Sequence, residues 1–134
     1  MFYDFAVLVP AGTLESNPVV KTLKLTAGII VRVDIGFPRG CNGYVYCRIK
    51  HEEHQILPNN PDQVFRWDGE TIECPMYLPL VNAPFTLKAE AYSPSAIYEH
   101  TLSIRVAVMR EEEMYPTTGV MGALRKFLKL VGVG

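Results

Sequence analysis

The sequence predicts an all-β protein, an antiparallel β-sandwich of about seven to nine strands, and three observations lead to this prediction. Apolar and polar residues alternate with a period of two in several separate segments, as in strands with one buried and one solvated face. Groups of glycine, proline, asparagine and aspartate separate these segments at short intervals. No helical period appears before residue 116. A jelly-roll and an immunoglobulin-like strand order share these periodicities, so both remain open.

The clearest alternation occupies residues 20–37, which predict two strands folded about Ala27 and Gly28. After the glycine, Arg32 and Asp34 are predicted to point to solvent, and the apolar residues between them to the core. The predicted inward residues are Ile29, Val31, Val33 and Ile35.

Residues 2–9 predict the first strand, which ends at Pro10. An apolar terminal strand with an unpaired edge is a template for association with another chain. We therefore predict that this strand contributes partner contacts, with Phe5 and Val7 as its binding residues.

The middle of the chain predicts further short strands with proline-rich connections. Cys47 falls on the inward face of its strand, where a thiol behaves as a small apolar group. The dipeptide Asp68-Gly69 between two short apolar runs predicts a hairpin. Pro75 and Pro79 predict an irregular segment or a sheet edge. The remaining predicted strands are residues 44–50, 85–92 and 98–109, with residues 51–57 extending or restarting a strand.

The C-terminal tail has a different period. Residues 1–110 are predicted to form the sandwich, residues 111–118 an acidic linker with a proline, and residues 119–134 a short amphipathic helix. Such a helix packs on its own domain, docks on a partner or lies on a membrane surface, and we predict docking on a partner. The apolar residues predicted to make this contact are Val120, Leu124, Phe127, Leu128 and Val131.

Composition excludes several classes of function. The chain has 134 residues and a net charge of −1, whereas a general nucleic-acid binder needs an excess of Lys and Arg. No apolar run approaches the ~20 residues of a membrane-spanning helix, and the N-terminus lacks the basic region of a secretion signal. We expect a soluble protein made in a cytoplasm, with no nucleic-acid partner and no membrane span.

Two groups of side chains suggest chemistry. His51, His54 and His100 could supply imidazole ligands, but an i, i+3 spacing on a strand would send the first two to opposite faces. Three cysteines without a CxxC spacing, and the lack of a nucleophile or phosphate-loop motif, predict no catalytic residue, no cofactor and no metal. The second group could form a platform that stacks on a sugar, which makes a carbohydrate- or ligand-binding module the alternative function. Its members are Trp67, Tyr44, Tyr46, Tyr92 and Tyr98.

Between Leu25 and Met109, strand order and turn placement resemble those of small β-sandwich proteins of tailed bacteriophages. The segments that carry this resemblance are LTAGIIVRVDIGFPRG, HQILPNNPD, DGETIE and FTLKAEAYSPSAIYEHTLSIRVAVM. The resemblance implies a non-enzymatic virion accessory role, as a head-decoration or minor capsid protein. The implied partners are further copies of the chain, the major capsid protein or another virion protein, and the implied location is the virion after synthesis in the host cytoplasm.

Overall fold

The computed structural model describes residues 1–110, which form two four-stranded antiparallel sheets around one apolar core. The predicted linker and tail helix, with Val120, Leu124, Phe127, Leu128 and Val131, lie outside the described residues. The strands are β1 (Phe2–Val9), β2 (Val19–Lys24), β3 (Gly28–Gly36), β4 (Tyr46–His51), β5 (His54–Leu57), β6 (Thr71–Leu80), β7 (Thr86–Tyr92) and β8 (His100–Met109).

The two sheets are built by nested pairing. The first sheet has the order β1-β8-β3-β6 and the second the order β2-β7-β4-β5. β1 therefore pairs with β8, β2 with β7, β3 with β6 and β4 with β5, as if one long hairpin had been rolled into two layers. This arrangement confirms the predicted antiparallel all-β sandwich, and residues 1–110 contain no helix, hence none that could cross a membrane.

The core consists of the inward residues of both sheets. Val33 and Ile35 of β3 and Ile49 of β4 are fully buried, as the alternation predicts. Burying such a side chain stabilises the fold by about 1.5–3 kcal/mol relative to exposing it. Cys47 is also fully buried, which confirms its predicted place in the core.

The predicted pairing of two strands about Ala27 and Gly28 is wrong. β2 pairs with β7 in the second sheet, whereas β3 pairs with β6 and β8 in the first. Gly28 has a φ of +154°, and a Cβ there would lie 2.8 Å from Val108 Cγ1 and 2.9 Å from the Met109 carbonyl oxygen. The glycine thus lets the chain cross from one sheet to the other in close contact with β8. In the sequence, a glycine required for this crossing looks the same as a glycine required for a tight turn.

Val31 also departs from its predicted position. The register of β3 against β8 shifts between Ile30 and Arg32, so Val31 is the extra residue of a β-bulge. Ile30 becomes fully buried, whereas Val31 is only half-buried. A bulge reverses the alternation within one strand, and the apolar run at 29–31 conceals the reversal.

The hairpin predicted at Asp68-Gly69 does not form. Phe65 makes an isolated bridge to Cys47, and Thr71 begins a strand that pairs with β3. The Asp68 carboxylate instead accepts hydrogen bonds from the backbone N–H groups of Gly40 and Asn42, at 2.8 and 3.1 Å. Aspartate therefore ties this turn to the loop after β3.

Pro75 and Pro79 lie within β6, which forms one edge of the first sheet. This confirms the edge placement that the prolines predict, because proline removes a donor from the hydrogen-bond ladder.

Candidate binding surfaces

The first surface is the edge of β1. β1 pairs with β8 on one side, and no other strand within residues 1–110 pairs with its second side, which we call the open edge. The predicted binding residues Phe5 and Val7 point inward: Val7 is 1% exposed and Phe5 is half-buried against the core. The Phe5 ring stacks with Tyr3, with centroids 6.3 Å apart.

The outward residues of β1 are those that the sequence interpretation missed. Phe2 is 90% exposed and Leu8 is 49% exposed, with Asp4 and Ala6 between them. The signal that could have found them is the same alternation read in the opposite phase, because neighbouring residues of a strand lie on opposite faces.

Charged side chains cross the outer face of the first sheet in one row. Asp4, Arg105, Asp34 and Glu73 lie opposite one another on β1, β8, β3 and β6. Arg32 is within 2.8 Å of Asp34 and 2.9 Å of Glu73, and its pKa is raised, chiefly by the hydrogen bond to Asp34. Opposite charges thus neutralise one another across the sheet, as expected of a solvated structural face.

Gly36 makes the floor of a shallow depression beside this row. A Cβ at Gly36 would lie 3.3 Å from Ser103 Cβ and 3.3 Å from Thr71 Oγ1. The depression measures about 240 Å³, and a second one of about 420 Å³ lies on the other side of Asp34 and Arg105.

The outer face of the second sheet holds a more buried ion cluster. Glu90 of β7 contacts Arg48 at 2.7 Å and Lys50 at 3.1 Å, both on β4. Burial alone would raise the pKa of Glu90, but hydrogen bonds from these two cations outweigh it and lower the pKa. Glu53 and Lys88 form a further pair nearby, and their hydrogen bond lowers the pKa of Glu53. This cluster ties β4 to β7 and leaves its carboxylates occupied.

The second candidate surface is a depression of about 780 Å³ at the end of the sandwich where β3, β7 and β1 finish, which we call the tip depression. The loop after β3 contributes Tyr44 and the loop after β7 contributes Ile97 and Tyr98, all three exposed. Buried Ser93 holds the second loop, since its hydroxyl donates to the Pro10 carbonyl oxygen at 2.9 Å. Two anchored loops therefore present apolar and aromatic side chains at one end of the molecule.

The five aromatic residues of the predicted sugar platform do not come together. Tyr44 and Tyr98 line the tip depression, whereas Tyr46 and Tyr92 stack on each other with centroids 5.0 Å apart on adjacent strands of the second sheet. Trp67 is half-exposed, and its indole N–H donates to Glu70 at 3.0 Å. Two of the five, Tyr44 and Tyr98, thus line one depression.

The histidines take positions that differ from the prediction. His51 and His54 lie directly opposite each other in the β4–β5 hairpin, so they share a face instead of pointing apart. The turn between them has positive φ at Glu52 and Glu53, as in a two-residue type I′ turn. His100 begins β8 in the other sheet, and within residues 1–110 no group of three or more His, Cys, Asp or Glu could hold a metal ion.

Burial affects all three cysteine thiols. It raises the pKa of Cys47 to about 12, and it also raises the pKa values of Cys41 and Cys74. All three are free thiols. A raised pKa lowers the fraction of thiolate, which is the form that acts as nucleophile and metal ligand.

A scan against protein-family models and a search of curated proteins found no match to this chain.

Proposed function

We propose that the protein is a non-enzymatic assembly protein, a virion accessory component that binds a larger particle through its terminal segments. The open edge of β1 is the observation that carries the proposal. Its outward side chains include Phe2, one of the most exposed apolar residues of the described chain. An unpaired strand edge with apolar side chains recruits a further strand, which is how β-augmentation joins chains.

The strand order supports the same role. Nested pairing of β1 with β8 through to β4 with β5 favours the jelly-roll alternative over the immunoglobulin-like one, whose sheets have a different order. Jelly rolls build viral capsid domains, although they also build lectins and cupins, so the fold alone carries no function. The open edge of β1 therefore adds a surface for association that the strand order alone does not supply.

Some of the ionisable groups are held in structural contacts. Within residues 1–110, Arg32, Asp34, Arg48 and Glu90 are engaged in ion pairs, and burial raises the pKa of Cys47 to about 12. These groups serve the fold, so the open edge of β1 remains the feature that carries the proposal.

The test is the composition of phage particles purified from the strain that encodes this chain. We expect the chain to sediment with the major capsid protein through a density gradient. Replacing Phe127, Leu128 and Val131 by Ser should remove it from the particles while leaving it folded, since buried apolar anchors dominate interface energies. Val81→Ser, at an exposed position in the loop between β6 and β7, is the control and should stay bound. Absence of the unmodified chain from particles, despite its presence in the lysate, would refute the proposal.

A second candidate function, binding of a carbohydrate, rests on the tip depression. Tyr44 and Tyr98 present rings beside the polar side chains of Asn42 and His100, and pockets of this mixed kind bind small ligands. A glycan array followed by titration of any hit tests it. Tyr98→Ala should abolish binding, whereas Tyr77→Ala, an exposed tyrosine on β6, should not. If the array gives no hit, this candidate is wrong.

A further inference from the structure

We infer that two copies of this chain pair through the open edges of β1, antiparallel and about a two-fold axis, to form one continuous eight-stranded sheet. The inference rests on the β1 surface of the proposed function and names its partner as a second copy of the chain. It also specifies the register, which follows from the backbone and side chains of residues 2–8.

The backbone determines which residues can bond across the open edge. Met1 N donates to the Val108 carbonyl oxygen at 2.7 Å, and Val108 N donates to the Met1 carbonyl oxygen at 2.8 Å. Met1 and Val108 are thus a hydrogen-bonded pair, and in an antiparallel ladder such pairs alternate with non-bonded ones. Odd-numbered residues of β1 therefore direct their N–H and C=O groups to β8. The residues that direct both groups to the open edge are Phe2, Asp4, Ala6 and Leu8.

Because only even-numbered residues direct backbone groups to the open edge, two copies can pair only in registers that place even-numbered residues opposite even-numbered residues. Centring the pair on Asp4 would place two carboxylates face to face, and like charges directly opposite destabilise a sheet. Centring it on Ala6 would leave Phe2 with no residue of the partner's β1 opposite it. Centring it on Phe5 uses all four outward backbone positions.

In the register centred on Phe5, the side chains are also complementary. Phe2 lies opposite the partner's Leu8, so two exposed apolar side chains cover each other at each end of the interface. Asp4, which lies 3.8 Å from Arg105, faces the partner's Ala6 and meets no like charge. On the inner face, the half-buried Phe5 lies beside the partner's Phe5 at the two-fold axis. The strand is therefore self-complementary in one register.

Disulfide trapping with the full chain tests the partner and the register together. Asp4→Cys and Ala6→Cys are made separately, each with Cys74→Ser to remove the half-buried native thiol. Hydrogen-bonded antiparallel pairs have Cα atoms about 5.5 Å apart, within the range that a disulfide spans. An equimolar mixture should cross-link on the order of a hundredfold faster than either variant alone, because only mixed dimers bring the two thiols together at about millimolar effective concentration.

Two charge variants at one exposed position give effects of opposite sign. Ala6→Lys places a cation opposite the partner's Asp4 twice per dimer, and Ala6→Asp places an anion there. We expect the dimer dissociation constant to fall with Ala6→Lys and to rise with Ala6→Asp, each by about 2- to 30-fold. Val20→Lys and Val20→Asp, at an exposed position on the edge strand β2, are the controls and should leave it unchanged.

Sedimentation equilibrium of the full chain is the primary readout, with a dimer expected at twice the 15.0 kDa monomer mass. A monomer at every concentration overturns the inference. A dimer that cross-links through Asp4→Cys alone or Ala6→Cys alone overturns the register. A dimer that cross-links neither in the mixture nor with either variant alone must use another surface, which overturns the inference. Particle binding is measured separately, so a monomer that still binds phage particles would contradict this inference and leave the proposed function intact.

Discussion

β1 and β6 are the two edge strands of the same sheet, and they differ in the residues that would hinder pairing with a further strand. β6 carries Pro75 and Pro79 within ten residues, and each proline lacks the N–H group that a further strand would need. β1 has neither proline nor lysine between Phe2 and Val9, and it exposes Phe2 and Leu8. Natural edges are usually protected against pairing, so the edge of β1, whose one charge is Asp4, supports the proposed contact surface better than the edge of β6 does.

The attachment of β1 to β8 can be broken at Gly28. An Ala side chain there would overlap Val108 and the Met109 carbonyl group, next to the hydrogen bonds that join Val108 to Met1. Overpacking and the unfavourable φ together should lower the free energy of unfolding by roughly 2–5 kcal/mol, measured by urea denaturation. The control is Gly12→Ala, where φ is +73° and no atom lies within 4 Å of the added Cβ, with an expected cost of about 1–2 kcal/mol. Equal losses in the two variants would show that close packing against β8 contributes nothing.

The two faces of β1 can be separated by adjacent substitutions. Val7→Ala removes buried methyl groups and should cost about 2 kcal/mol of folding stability. Leu8→Ala should change folding stability by less than about 0.5 kcal/mol and instead weaken dimerisation, because its side chain points outward. Thermal unfolding in dilute solution measures the first effect and sedimentation equilibrium the second. If Leu8→Ala destabilised the monomer as much as Val7→Ala, the assignment of inner and outer faces would be wrong.

The protection of β6 can be removed by Pro75→Thr together with Pro79→Thr. Folding stability should change by less than about 1 kcal/mol, since both residues lie at an edge. The variant should form species larger than the unmodified chain at the same concentration, because threonine restores the backbone donors. Pro10→Thr with Pro18→Thr, in the loop between β1 and β2, is the control and should leave the mass unchanged. An unchanged mass for the β6 variant would mean that its prolines do not prevent association.

The sequence located most strands well, because alternation is a local property. β1 matches its predicted range, and the ends of β4 and β8 lie within two residues of the prediction. The wrong predictions have a common cause, since each was made from neighbouring residues alone. The role of Gly28 depends on its contact with β8, and the role of Asp68 on the loop after β3. The positions of His51 and His54 depend on the pairing of β4 with β5.

By itself, the sequence determined the fold class, the inward face of most strands and the core position of Cys47, since each follows from the period of neighbouring residues. Only the tertiary structure decided which strands pair, because β1 joins β8 across some hundred residues and no local pattern records that contact. It therefore also decided which edge is left open. The same pairing decided the faces of β1, since apolar residues lie on both of them: Phe5 and Val7 point inward, whereas Phe2 and Leu8 are exposed.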